Sequence, residues 1–336
     1  MKITLGPIPF LWDKDKIITF YKEIANTPVT TVYIGEVVCS KRTILGRDSL
    51  ERIGRMLQDK GKEVVLSTLS LITNREELEY VRSLVDLPFS IEINNIGVLN
   101  LISNNGDINR SGTFDPDRSG RMPDKLDKRL IAGPHLAVYN ASTARFFSDL
   151  SIKRLVFMPE LHKDAIESIS SNIPSIEKEI IGFGNLPVAF SWRCYTVRAL
   201  EMTKNNCAIV CKKHPEGMQL ETMDGMPVFN INGTQLLSAQ KACMIGQLDI
   251  LEALGIEYLR IIPQERNTVD IINTFRKVIE GGITSQDAVE VLRGYAPEGL
   301  SNGWFHGQAG WEFIEKGNLE DGSGEYTQSY LQVYPQ

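Results

Sequence analysis

With 336 residues, 42% hydrophobic and 23% charged, the chain has the make-up of a soluble globular protein long enough for one barrel-sized core. A formal net charge of −6 and an isoelectric point near 5.4 count against a surface dominated by nucleic-acid binding. Residues 1–16 lack the apolar run of a secretory signal, and the most apolar stretch, 180–192, is broken by Gly182, Gly184, Asn185 and Pro187 and too short for a bilayer, so the expectation is a soluble cytoplasmic protein.

Strand-like and helix-like segments alternate from the start. Residues 3–5 read as a strand, followed by a segment with Ile17, Ile18, Phe20, Tyr21 and Ile24, and 31–35 form the second strand. Asp48 and Glu51 read as a helix cap and its box partner, Leu50, Ile53 and Leu57 share one helical face, and Gly61 supplies the stop. Residues 63–67 make a β-branched strand, Asn74 caps a helix carrying Leu78, Val81 and Val85, and 89–93 is a strand again. Strands at 130–133, 154–157, 179–183 and 258–262 bring the count to eight. Further helices are expected at 141–150, 163–171, 236–254 and 268–279, the last closed by Gly281-Gly282.

Eight strands with intervening helices predict an α/β fold, a (β/α)8 TIM-like barrel over residues 1–282. A doubly wound open sheet is the alternative, but no G-x-G-x-x-G turn follows the first strand. A loop at 103–128 holds ten charged and four large apolar residues and reads as exposed. A second excursion, at about 191–230, sits between the seventh and eighth strands, and Val228–Ile231 within it has the pattern of an extra strand. Residues 283–336 form a C-terminal extension rich in glycine and aromatics.

The five cysteines, an odd number, favour free thiols or metal ligation over a disulfide framework. Cys39 and Cys194 each follow a strand-like run, and in a parallel sheet the C-terminal strand ends share one face, where Cys207 and Cys211 can join them. Arg193, Arg198, Lys212 and Lys213 supply nearby positive charge, which stabilises thiolates. Four thiolates suit either zinc or an iron–sulfur cluster, and the spacing does not choose between them. His214 is an alternative ligand, and Cys243 reads as a small buried hydrophobe on a helix. Glu36, Glu92 and Glu160, with His135, Asn140, Lys41 and Arg42, fall at strand ends that face a barrel's active-site mouth, where substrate contact and a charge-paired rim are about equally expected. Hydrolytic chemistry has no nucleophile elbow or His-Glu-x-x-His run to rest on.

The stretch Tyr33–Arg42, with Leu66-Ser67-Thr68-Leu69, Pro159-Glu160-Leu161, Ser191–Arg198, the Cys207-x-x-x-Cys211 pair and Asn302-Gly303-Trp304, resembles the collagenase-like peptidase family of undefined catalytic type. The resemblance covers most of residues 1–310 and is closest to its ubiquinone-biosynthesis branch. It implies a 4Fe-4S cluster on Cys39, Cys194, Cys207 and Cys211, which breaks the tie with zinc. It further implies a heterodimer with a cluster-bearing paralogue, dioxygen-independent hydroxylation of an aromatic ring in anaerobic ubiquinone synthesis with prephenate as oxygen donor, and a lipid-binding accessory protein carrying the precursors. Glu36, Arg42, Glu160, Arg193 and Arg198 are then candidates for substrate binding or for support of the cluster. Ala137 stands where the branch usually has Asn, and the 103–128 loop and the tail are longer than expected. A peptidase or other hydrolase, and a zinc-stabilised binding module, are the competing classes.

Overall fold

Short β-branched and apolar runs punctuated by capped amphipathic helices leave this chain one economical solution, a sheet that closes on itself inside a ring of helices. The computed structural model describes residues 1–103, 129–150 and 152–315, so the expected 103–128 loop, apart from Ser103, and the end of the C-terminal tail lie outside the described residues. The barrel strands are β1 (Lys2–Leu5), β2 (Thr31–Ile34), β3 (Glu63–Ser67), β4 (Ser90–Ile93), β5 (Leu130–Ala132), β6 (Arg154–Val156) and β7 (Glu177–Phe190). A ribbon of β8 (Met218–Glu221), β9 (Pro227–Asn232) and β10 (Gln235–Cys243) precedes the eighth barrel strand, β11 (Tyr258–Ile261), and β12 (Leu300–Ser301) follows. Neighbouring barrel strands pair in parallel, and β11 pairs with both β1 and β7, which closes the ring.

Helices α1 (Lys14–Ile24), α2 (Arg47–Asp59), α3 (Arg75–Val85), α4 (Gly97–Ser103), α5 (Ala141–Asp149), α6 (Lys163–Asn172), α7 (Tyr195–Ala199), α8 (Leu248–Ala253), α9 (Thr268–Ile279) and α10 (Ser285–Arg293) complete the fold. The face of α2 that buries Leu50, Ile53 and Leu57 is the expected one, and Asn74 caps α3 by accepting from the Glu77 backbone N–H. The expected cap at Asp48 is corrected: α2 begins at Arg47 behind Gly46, with no side-chain cap. Asp48 lies instead in the first turn, where a carboxylate favours the positive end of the helix dipole. Within the C-terminal extension, Leu292 and Phe305 join the main apolar core. Among the described residues no helix is long and apolar enough to cross a membrane.

The seventh strand decides where the site lies. After pairing with β6 and β11, β7 runs on past the barrel rim to Phe190 and pairs antiparallel with β10, which pairs in turn with β9. The turn out of the barrel occurs at Gly184, whose φ of +122° suits glycine and whose Cβ, if present, would stand 2.6 Å from the Ile262 Cβ. This ribbon replaces most of the helix expected at 236–254, of which only α8 and the 3-10 turn Ile245–Gln247 before it are helical. The apolar spacing there fits a helix, but pairing on both edges of β10 outweighs local preference. The extra strand expected at Val228–Ile231 is β9.

Candidate functional site

Because the barrel strands are parallel, the loops after β2 and β7 emerge on one face, and side-chain bonds hook them together there. The Thr234 hydroxyl donates to the Val38 carbonyl oxygen at 2.7 Å, next to Cys39. Arg42, a buried candidate, donates to Asn232 Oδ1 at 2.8 Å and to the Pro9 carbonyl at 3.2 Å. Between these lies Gly233, with φ +65°, where a Cβ would meet the Arg42 guanidinium at 2.5 Å. Its carbonyl accepts from the Tyr195 N–H at 2.6 Å, and its N–H donates to the Thr196 hydroxyl at 3.0 Å. Cys194, directly before α7, is thus carried on a loop tied through Gly233 to the Cys39 loop.

The remaining cysteines hang on the same frame. Lys41 Nζ donates to the Lys204 carbonyl at 2.7 Å, and Lys204 Nζ to the Trp192 carbonyl at 3.2 Å. The Val210 N–H donates to the Cys207 carbonyl and the His214 N–H to the Cys211 carbonyl. Lys212 pairs with Asp13 at 2.7 Å, and the Trp12 indole donates to the Pro215 carbonyl at 3.2 Å, which anchors the loop to the segment after β1. Between the two cysteines, Ala208 and Ile209 both have positive φ, 44° and 54°. That conformation is a genuine outlier for a β-branched residue.

The four thiols are free and partly buried, whereas Cys243 is fully buried at the end of β10 rather than on a helix, its thiol pushed up to about 12 by burial. As placed, no three His, Cys, Asp or Glu side chains among the described residues form a group that could hold a metal ion. In kind, a set of four cysteines on mutually anchored loops fits the donors that hold an iron–sulfur cluster. Cys39, Cys194, Cys207 and Cys211 are the residues that could hold one.

Glu36 accepts from the Val38 and Cys39 backbone N–H groups at 2.8 and 3.0 Å, so it shapes the cysteine loop. Burial raises its carboxyl above the usual range, against the pull of Arg42. Burial likewise raises the Cys39 thiol. Glu160 accepts from the Tyr139 hydroxyl at 3.2 Å at the rim. Asn140 caps α5 by accepting from the Thr143 N–H. Arg193 and Arg198 are exposed, and among the described residues neither side chain makes an ion pair.

Inside the barrel is an ionic lattice that the strand-end reading missed. Glu179 is fully buried between Arg260, whose Nε donates to it at 2.7 Å, and Arg154, 3.4 Å away. Arg260 Nη1 also donates to Glu92 at 2.7 Å, and the Tyr33 hydroxyl donates to Glu179 at 2.6 Å. The two guanidiniums lie over the Tyr33 and Tyr258 rings, at 3.9 and 3.7 Å from the centroids. Burial alone would raise the Glu179 carboxyl, but Arg260 and Arg154 outweigh it and hold it below the usual range. The signal was present in the sequence as polar residues at alternate strand positions, Glu177 and Glu179 on either side of Lys178 on β7 and Tyr258 and Arg260 on β11.

Above the lattice, His135 bridges Asn94 Oδ1 at 3.1 Å and Gln235 Nε2 at 2.8 Å. Asn94 Nδ2 donates elsewhere, so the ring donates through Nδ1 and accepts at Nε2, the neutral tautomer. Burial lowers its pKa to about 4.

A model of peptidase family U32 matches residues 125–314, more than half of the chain and three of its four candidate ligands. The chain belongs to peptidase family U32. Family U32 is the one to which the sequence motifs pointed. Among curated proteins, the chain is 28% identical over 178 residues to tRNA hydroxylation protein P of Helicobacter pylori, covering 46% of this chain and 40% of that one. It is 20% identical over 225 residues to tRNA hydroxylation protein P of Escherichia coli strain K12, covering 51% and 50%. The chain spans about half the length, or less, of the curated relatives it matches.

Proposed function

We propose that this U32 protein is the 4Fe-4S subunit of a two-protein complex that hydroxylates an aromatic ring without dioxygen, in the manner of UbiV in anaerobic ubiquinone biosynthesis, with a UbiU-like paralogue as partner. The observation that carries the reading is the set of four free cysteines on loops hooked together over the barrel mouth. Hydroxylation also appears in the names of these relatives. Their tRNA substrate fits this chain less well, because its net charge is −6.

A cluster held by four cysteines supplies one-electron transfer when bound. The chain's own residues do the rest. Thr234, Gly233 and Arg42 fix the Cys39 and Cys194 loops to each other, and Glu36 holds the Cys39 backbone through two N–H groups. Arg193, Arg198 and Lys204 place positive charge at the surface beside the thiols, where a negatively charged thiolate centre gains from it. A hydrolase has less support, since His135 is held between two amides rather than beside a nucleophile.

Anaerobic purification with iron and sulfide analysis tests the cofactor. Single Cys→Ala changes at 39, 194, 207 or 211 are expected to remove most of the iron, and Cys243→Ala to leave it unchanged. Zinc in place of iron would refute the reading. Ring hydroxylation should then require both subunits, and tRNA should not substitute as acceptor.

A further inference from the structure

The end of the barrel that carries the cysteine loops also leaves large apolar side chains in water. Ile96 after β4, Tyr139 after β5, Phe190 at the end of β7, and Trp192 and Leu200 beyond it are between 37% and 63% exposed. Parallel strands bring the loops after β4, β5 and β7 to one rim, and contacts join them around the mouth: the Phe190 ring stands 5.7 Å from His135, which bonds Asn94, two residues before Ile96. The same end is the basic part of an acidic chain. Residues 191–214 hold Arg193, Arg198, Lys204, Lys212 and Lys213 against Glu201 alone, although the net charge of the chain is −6. Lys41 joins them from the Cys39 loop by donating to the Lys204 carbonyl, and Lys204 Nζ lies 5.9 Å from the Trp192 ring centroid. The nearby carboxylates are engaged elsewhere, Glu36 with the Val38 and Cys39 N–H groups and Glu77 with the Thr73 N–H and the Ser40 hydroxyl. Among the described residues, Lys212 alone of these six cations forms an ion pair, with Asp13.

We propose that this rim is a membrane-docking face, which rests on an anionic lipid surface with Trp192, Phe190 and Leu200 among the headgroups and Lys41, Arg193, Arg198 and Lys204 against the phosphates. Tryptophan and tyrosine are favoured at the depth of the headgroups, where the ring is half apolar and half wet. Each unpaired cation gains from the negative potential of such a surface, and the gain falls off within a Debye length. The make-up of the rim decides between a bilayer and an acidic protein. Protein interfaces are depleted in lysine and seat their tryptophan in a fitted pocket, whereas lysines beside apolar side chains on separate loop ends suit a fluid surface that moulds to them. No helix among the described residues is long and apolar enough to cross a membrane, so the attachment is peripheral and reversible. The negative charge of the rest of the molecule is repelled by an anionic surface, which leaves this end to face it and turns the barrel mouth toward the lipid. The proposal goes beyond the hydroxylation reading and does not depend on it, since binding is measured without turnover.

The test is co-sedimentation of the anaerobically purified full chain with vesicles of phosphatidylcholine alone or of equimolar phosphatidylcholine and phosphatidylglycerol. The anionic vesicles should bind it about tenfold or more tighter, and added salt should reduce that advantage. Arg193→Glu should weaken binding to the anionic vesicles about tenfold, and Trp192→Ala should weaken binding to both kinds. Both side chains are exposed, so neither change disturbs the core. Lys60→Glu makes the same change in charge just after α2, at the opposite end of the barrel, and should leave binding unchanged. Equal affinity for the two vesicles, no binding to either, unchanged binding in Trp192→Ala, or the same loss in Lys60→Glu as in Arg193→Glu overturns the proposal. So does binding of an acidic plant-type ferredoxin with no binding of vesicles, which would assign the rim to a protein partner. Zinc on the cysteines with vesicle binding intact would count against the proposed function and not against the docking face.

Discussion

His135 illustrates how much a single residue's environment decides. Its place after the fifth strand fitted contact with substrate or a structural place at the rim equally, and both ring nitrogens are taken by amides, while burial brings its pKa to about 4 from an ordinary 6.5. The unfolded chain therefore binds this proton first, so the stability from the neutral ring is complete above about pH 6.5 and lost as the pH falls toward 4. Urea unfolding across that window should show a steeper loss in the wild type than in His135→Gln, and parallel curves would mean that the ring is solvated. At Ile209 the positive φ of 54° costs a β-branched residue roughly 1–2 kcal/mol. Ile209→Gly is expected to raise stability by about 1 kcal/mol by denaturant titration, and a loss of that size would show that the side chain packs usefully.

Among the elements, β7 has the largest consequences because one strand serves both the barrel and the ribbon. Its first half closes the barrel against β6 and β11, and its second half carries the ribbon that brings Gly233 and Thr234 to the cysteine loops. The change of direction depends on Gly184. Gly184→Val should cost about 3 kcal/mol or more, from the left-handed φ together with the overlap on Ile262. Equilibrium unfolding measures this, and a cost below about 1 kcal/mol would mean that the ribbon shifts freely. The sequence pattern of β10 was misleading because helical spacing and strand pairing can both bury Leu237, Ala239 and Ala242, and only the neighbours on either edge distinguish them.

For the whole molecule, the barrel interior is held by charge as well as by apolar packing. Tyr33, Val65, Ile131 and Val156 form a small separate cluster, and around it runs the lattice of Arg154, Glu179, Arg260 and Glu92. Glu179→Gln leaves two buried guanidiniums undercompensated and should cost about 3–5 kcal/mol, read by thermal or urea unfolding. A cost near zero would show that water screens the lattice. At the lower rim Glu63 contacts Lys153 and Arg154; burial would raise its carboxyl, but these partners bring it to about 2. Its contribution is present above the ordinary carboxylate range near 4.5 and lost as the pH falls toward 2, so Glu63→Gln should flatten that part of the acid-unfolding profile. Under the proposed function, the chain should co-purify anaerobically with its paralogue through a contact burying about 1,200 Å² or more, and hydroxylation by the isolated chain would remove the need for a partner.

The sequence by itself determined the eight barrel strands and most of the surrounding helices, and it singled out Cys39, Cys194, Cys207 and Cys211 as candidate ligands apart from Cys243. These features are written in local periodicity, capping residues and spacing, which act over a few residues. Tertiary structure alone decided that β10 is a strand, that Arg42 and Glu36 shape loops, and that Arg154, Glu179 and Arg260 meet inside the barrel. Those outcomes depend on partners far apart in the chain, such as Thr4 and Glu179 or Arg42 and Asn232, and nothing local in the sequence records which distant group a buried charge will face.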